Sequence, residues 1–144
     1  MLLSNENRFS TAQAITATAL SEDVIDLLPS GTVPPFGTVA LVGDVGKGCE
    51  ICYTVKVVEA FNNLTSLTIA VEVGATASLG TVVDSITVAL ADLTVGYFYP
   101  KLTLPAGLKE QYLGLRYTVT GTAPTTGKIT AGITLGTQSN YEGP

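Results

Sequence analysis

Cys49-Glu50-Ile51-Cys52 has the Cys-x-x-Cys spacing of a redox or zinc motif. Redox chemistry needs such a pair at a helix N-terminus, where the thiolate is stabilised. Here the pair opens an alternating run, and positions i and i+3 on a strand point to opposite faces. Zinc needs four ligands, and the chain has two Cys and no His. Both cysteines are expected to be structural, with Cys49 sharing the core parity of Ile51.

Gly43-Asp44-Val45-Gly46-Lys47-Gly48 looks like a phosphate loop. A P-loop needs Gly five positions before its Gly-Lys pair and Ser or Thr after it. Leu41 and Gly48 stand there instead, so a tight turn is expected. Glu22, Asp23 and Asp26 form the densest acidic cluster. A glycosidase pair or a Ca²⁺ site would draw on such residues. The run lacks the calcium-loop pattern and reads as a solvated turn. Asn63-Leu64-Thr65 is a glycosylation sequon, expected to be silent without a secretory signal, and Asn62-Asn63 reads as a turn.

The absence of His removes the commonest general base and the Ser-His-Asp and Cys-His arrangements. There is no Gly-x-Ser-x-Gly elbow and no Ser-x-x-Lys pair. The chain is expected not to be an enzyme and to hold neither cofactor nor metal.

The elements that carry these residues alternate with a period of two. Ile51, Tyr53, Val55 and Val57 share one face, and Cys52, Thr54 and Lys56 the other. The same holds for Leu67, Ile69, Val71 and Val73, for Leu113, Leu115, Tyr117 and Val119, and for Ile129, Ala131, Ile133 and Leu135. Such alternation places one set on the core face of a sheet. Weaker strands are expected near 13–20, 24–28, 38–42, 81–90 and 97–104, divided by Gly, Pro, Asn and Asp turns. Ala89-Leu90-Ala91-Asp92-Leu93 fits one helical turn and no more.

About eight short strands with some long crossings give an all-β reading, a jelly-roll-like β-sandwich. Residues 11–144 form this domain, and residues 1–10 are expected to be an N-terminal arm.

The chain has 144 residues and a net charge of -5, which argues against nucleic acid and anionic membranes as partners. No stretch reaches the ~20 apolar residues of a membrane span. The start lacks a basic n-region and an apolar h-region, so the chain is expected to begin near Met1 and to be made in a cytoplasm. Charged residues make up 13%, against about 25% in typical domains. That deficit points to surface covered by a partner.

Three stretches carry a family resemblance. One is Met1–Thr16, which opens Met1-Leu2-Leu3-Ser4-Asn5-Glu6-Asn7-Arg8-Phe9. The second is Val57-Val58-Glu59-Ala60-Phe61-Asn62-Asn63-Leu64-Thr65-Ser66-Leu67. The third is Tyr112–Gly132, with Tyr112-Leu113-Gly114-Leu115-Arg116-Tyr117 at its head. Together they resemble the bacteriophage capsid cement, or decoration, proteins of the Bordetella-podovirus type, nearly end to end. The chain departs from that pattern at Cys49–Cys52 and at Tyr97–Lys101, where the family is more basic.

The resemblance implies a jelly roll on the outer surface of the virion capsid, synthesised in the host cytoplasm. It implies the phage major capsid protein as partner, together with self-association as a homodimer or homotrimer. The implied function is to stabilise an icosahedral head by bridging capsomers. Contacts are expected on the arm, at Leu2, Leu3, Arg8 and Phe9, and at the outward aromatics Tyr97 and Tyr99. The alternative is a carbohydrate-binding or adhesin β-sandwich module, in which Tyr97, Tyr99 and Tyr112 would stack sugars in the absence of Trp.

Overall fold

A computed structural model describes residues 3–27, 37, 44–45, 47, 50–96 and 98–136, with 98–102 described by backbone pairing alone. The strand expected near 38–42 lies outside the described residues, as do Leu2, Cys49 and Tyr97.

Nine strands are described: β1 (Arg8–Ala14), β2 (Ala19–Leu20), β3 (Ile25–Asp26), β4 (Cys52–Glu59), β5 (Leu64–Gly74), β6 (Thr81–Ala89), β7 (Phe98–Thr103), β8 (Tyr112–Gly121) and β9 (Lys128–Thr134). The first sheet runs β1-β9-β4-β7; the second runs β2-β8-β5-β6, with β3 also paired to β8. Every pairing is antiparallel. The chain crosses between the sheets at all but the β5–β6 connection, once β2 and β3 are taken as one interrupted strand. This is the strand order of a jelly roll, an all-β sandwich built from two Greek keys.

The alternating runs supply the core. Tyr53, Val55 and Val57 face Leu67, Ile69, Val71 and Val73 from the opposite sheet, with Leu113, Leu115, Tyr117, Ile129 and Ala131, all buried. Each of the Val, Leu and Ile side chains contributes about 1.5–3 kcal/mol on leaving water. The expected helical turn forms as a 3-10 helix over Leu90–Asp92. Asn63 takes a left-handed φ of +64°, and the Asn62 side chain accepts the Thr125 and Thr126 amides at 2.8 and 3.2 Å. At the β4–β9 end, Lys128 and Glu59 pair at 2.7 Å, and the Lys128 hydrogen bond lowers the Glu59 pKa. Both side chains are partly exposed, so solvent screens the pair and it adds little to stability.

Several positions differ from the alternation. Cys52 and Thr54, expected on an outer face, are 4% and 1% exposed. Thr54 lies opposite Gly132, and the N-terminal segment crosses there. A Cβ on Gly132 would stand 2.9 Å from Leu3 Cδ2 and 3.0 Å from the Asn7 carbonyl oxygen. Glu72 is buried for a parallel reason on the second sheet. It lies opposite Gly114, and Leu79 of the β5–β6 loop folds back onto that glycine, with Leu79 Cδ1 2.8 Å from its Cβ position. Leu135, expected in the core, is 92% exposed. The ladder ends at Thr134 opposite Cys52, the first residue of β4, so among the described residues Leu135 has no strand to lie against.

The arm boundary moves as well. Arg8, Phe9 and Ser10 open β1, and Phe9 is fully buried in the core. The strand expected over 13–20 is split into β1 and β2 by a bend. β1 is irregular, with register shifts around Ser10 and a left-handed Ala12, which hides it from a period-two pattern.

Candidate protein-binding surface

Leu3 and Ser4 precede a 3-10 turn over Asn5–Asn7, which the Asn7 amide closes on the Ser4 carbonyl at 3.2 Å. The turn carries the chain across the outer face of the first sheet into β1. Between this segment and the end of β9 lies a groove of about 310 Å³, lined by Leu3, Ser4, Asn7, Ile133, Thr134 and Leu135. Leu3, Ile133 and Leu135 make it mainly apolar, and Leu135 stands out at its rim. Thr134 Oγ1 lies 3.1 Å from the Gly136 carbonyl and 3.4 Å from that of Cys52, which fixes the chain where it leaves the sheet.

Gly132 sits beneath the segment, between Arg8 on β1 and Thr54 on β4. Among the described residues, Arg8 Nε and Thr54 Oγ1 are buried atoms without a hydrogen-bond partner. Arg8 Nη1 reaches Thr11 Oγ1 at 3.4 Å.

Of the residues expected to make contacts, the structure brings Leu3 to the groove and places Arg8 opposite Gly132, outside the groove's lining. Phe9 points into the core and is closed to any partner while the fold holds. Tyr99 lies in β7 opposite Val55, away from the groove-lining residues in sequence and register. Ile133 and Leu135 were not singled out, because the alternation assigned both to the core. Gly136, directly after Leu135, is the sequence sign that the strand ends there.

The other residues with chemical potential are occupied in holding the fold. Glu22 Oε2 accepts the Thr11 amide at 3.1 Å, the Asp23 amide donates to the Phe9 carbonyl at 3.0 Å, and Asp26 Oδ2 accepts from Gln111 at 3.1 Å. Glu22 and the Asp23 main chain thus tie the segment before β3 to β1, and Asp26 ties β3 to the residue before β8. Asp44 sits in a turn closed by the Lys47 amide, and its carboxylate accepts the Gly107 and Leu108 amides at 3.0–3.2 Å. Cys52 is a free, buried thiol. Among the described residues, no group of three or more His, Cys, Asp or Glu side chains is placed to hold a metal ion. Among the described residues, no helix is long and apolar enough to cross a membrane.

The sequence model of the Bbp16 family matches residues 9–133, from the first core residue of β1 to the penultimate residue of β9. The chain belongs to the Bbp16 family. No curated protein matches it. The matched range takes in strands of both sheets. Of the groove-lining residues, Ile133 lies inside that range, and Leu3, Ser4, Asn7, Thr134 and Leu135 lie outside it.

Proposed function

We propose that the chain is a capsid cement protein, bound to the outside of an icosahedral phage head and stabilising it by bridging capsomers. The observation that carries this reading is the apolar groove beside the N-terminal segment, with Leu135 92% exposed at its rim. An exposed leucine at a preformed apolar groove is a binding feature, worth about 1.5–3 kcal/mol once buried. Its partner in this reading is the major capsid protein. The low charge of the chain supports a covered surface, and the name Bbp16 suggests a Bordetella phage protein.

The mechanism is mass action and needs no catalytic step, cofactor or metal. A protein that binds only the expanded shell stabilises that state by about 2.7 kcal/mol per site when its free concentration is 100 times Kd. Many sites on one closed shell add through avidity when each copy spans neighbouring capsomers.

To test this, the chain is mixed with bare expanded heads of its phage. Co-sedimentation and a raised head melting temperature are the expected results, both diminished by Leu135→Asp. Heads that neither bind the chain nor gain stability would overturn the reading.

A further inference from the structure

The two walls of the groove differ in firmness. One is the end of β9, from Ile133 to Leu135, where the Thr134 hydroxyl ties down to the Cys52 and Gly136 carbonyls. The other is the N-terminal segment, through Leu3, Ser4 and Asn7. Of residues 3–7 only Leu3 is partly buried; the other four are exposed. The turn over Asn5–Asn7 has no side-chain cap. A segment with so few buried apolar contacts opens locally at low cost.

Its seat lowers that cost further. Arg8, Gly132 and Thr54 lie side by side on β1, β9 and β4. The segment rests on the middle one, where Leu3 Cδ2 comes within 2.9 Å of the Cβ position. On either side, Arg8 Nε and Thr54 Oγ1 are buried without a hydrogen-bond partner among the described residues. Polar atoms left dry and unpaired oppose the arrangement that dries them. Lifting the segment gives up the packing of one leucine and admits water to this row, a loss and a gain of similar size.

We propose that residues 3–7 are a strap in near balance between open and closed on the first sheet, and that only the closed strap forms the docking groove. Leu3, Ser4 and Asn7 are one wall of that groove, so opening the strap removes the groove rather than emptying it. β1 stays paired with β9 from Arg8 onward in both states. The coupling to the shell rests on the capsid reading above. A shell that binds the groove selects the closed strap, and the apparent affinity is the intrinsic affinity multiplied by the closed fraction.

The test reads strap opening and head binding on the same full-length chains. Cleavage after Glu6 by a Glu-specific protease reports the open fraction, and co-sedimentation with bare expanded heads reports the closed one. Thr54→Val removes an orphaned hydroxyl at similar size and favours closure by about tenfold. From near balance, that slows cleavage about fivefold and tightens head binding no more than about twofold. Gly132→Ala crowds the seat and favours opening by about tenfold. That weakens head binding about fivefold and quickens cleavage no more than about twofold. Circular dichroism is expected to be the same for all three chains. Cleavage that neither variant alters overturns the strap. Cleavage that responds while head binding stays equal overturns the coupling alone. Absence of head binding by every chain overturns the capsid reading and the coupling together.

Discussion

The Tyr117 hydroxyl lies 2.8 Å from the Ser10 hydroxyl, joining β8 of one sheet to β1 of the other inside the sandwich. The direction of the bond follows from its neighbours. Gln13 Nε2 donates to the Leu20 carbonyl at 2.8 Å, which leaves Gln13 Oε1 as the acceptor from Ser10 at 2.6 Å. Ser10 has then given its proton away, so Tyr117 donates to Ser10. Ser10→Ala strands a buried donor and is expected to cost about 1–3 kcal/mol, more than the ~1 kcal/mol of Tyr117→Phe, which removes that donor. Urea denaturation of the two variants gives the order.

The same phenol sets an alkaline limit. Burial raises its pKa well above the usual value of 10.0, the Ser10 hydrogen bond opposes that rise, and the Glu22 charge adds to it. The folded state therefore favours the neutral form. This contribution is complete below pH 10 and is lost as pH climbs from there through the folded-state pKa. The stability gap between the native chain and Tyr117→Phe is expected to shrink, then invert, above pH 10. A constant gap from neutral pH upward would contradict this.

Glu72 and Arg116 form a 2.7 Å ion pair in which the carboxylate side chain is 5% exposed and the guanidinium 31%. Glu72 Oε2 has no partner among the described residues. The Glu72 hydrogen bond raises the Arg116 pKa. Arg116→Ala leaves a buried carboxylate alone and is expected to cost about 1–3 kcal/mol, between the values for exposed and fully buried pairs. Adding Glu72→Gln to that variant is expected to restore part of the loss. Chemical denaturation of the single and double variants checks both.

Gly132 and Gly114 each let a leucine rest on a sheet, but their neighbours differ in freedom. At Gly132 the contacts include the backbone of Asn7 and Arg8; at Gly114 they are the ends of the Leu79, Ser21 and Val24 side chains. Gly132→Ala is expected to cost about 1–3 kcal/mol and to expose residues 3–7 to protease, with Gly114→Ala milder. Truncation divides at the same place. Removing residues 2–7 is expected to spare the fold, while removing 2–9 also takes Phe9 from the core, at about 3–5 kcal/mol.

Asp44 anchors the 105–108 loop from 63 positions away. Asp44→Ala leaves the Gly107 and Leu108 amides without their acceptor and is expected to cost about 1–3 kcal/mol. Hydrogen exchange at those amides should quicken, with Asp44→Asn intermediate because it keeps one side-chain oxygen.

The sandwich was legible wherever a strand had one dry face. Leu67 to Val73 and Leu113 to Tyr117 declare themselves, because period-two burial is written directly in residue type. β1 was not legible, since its Ser10-Thr11-Ala12-Gln13 run is held by side-chain bonds rather than alternation. Nor were the buried outer positions Cys52, Thr54 and Glu72. Leu3 lies over the glycine opposite Thr54 and Leu79 over the glycine opposite Glu72, and each is far away in sequence or beyond a turn. The groove follows the same rule: it exists because β9 stops at Thr134, and a strand's end depends on where its partner begins.

The proposed attachment is to the outside of the head, across capsomer boundaries. Cryo-EM of expanded heads incubated with the chain tests it most directly. The expected result is sandwich-shaped density on the outer surface spanning neighbouring capsomers, with residues 3–7 and Leu135 against the shell. A bare shell at saturating protein, or density confined within single capsomers, would contradict it.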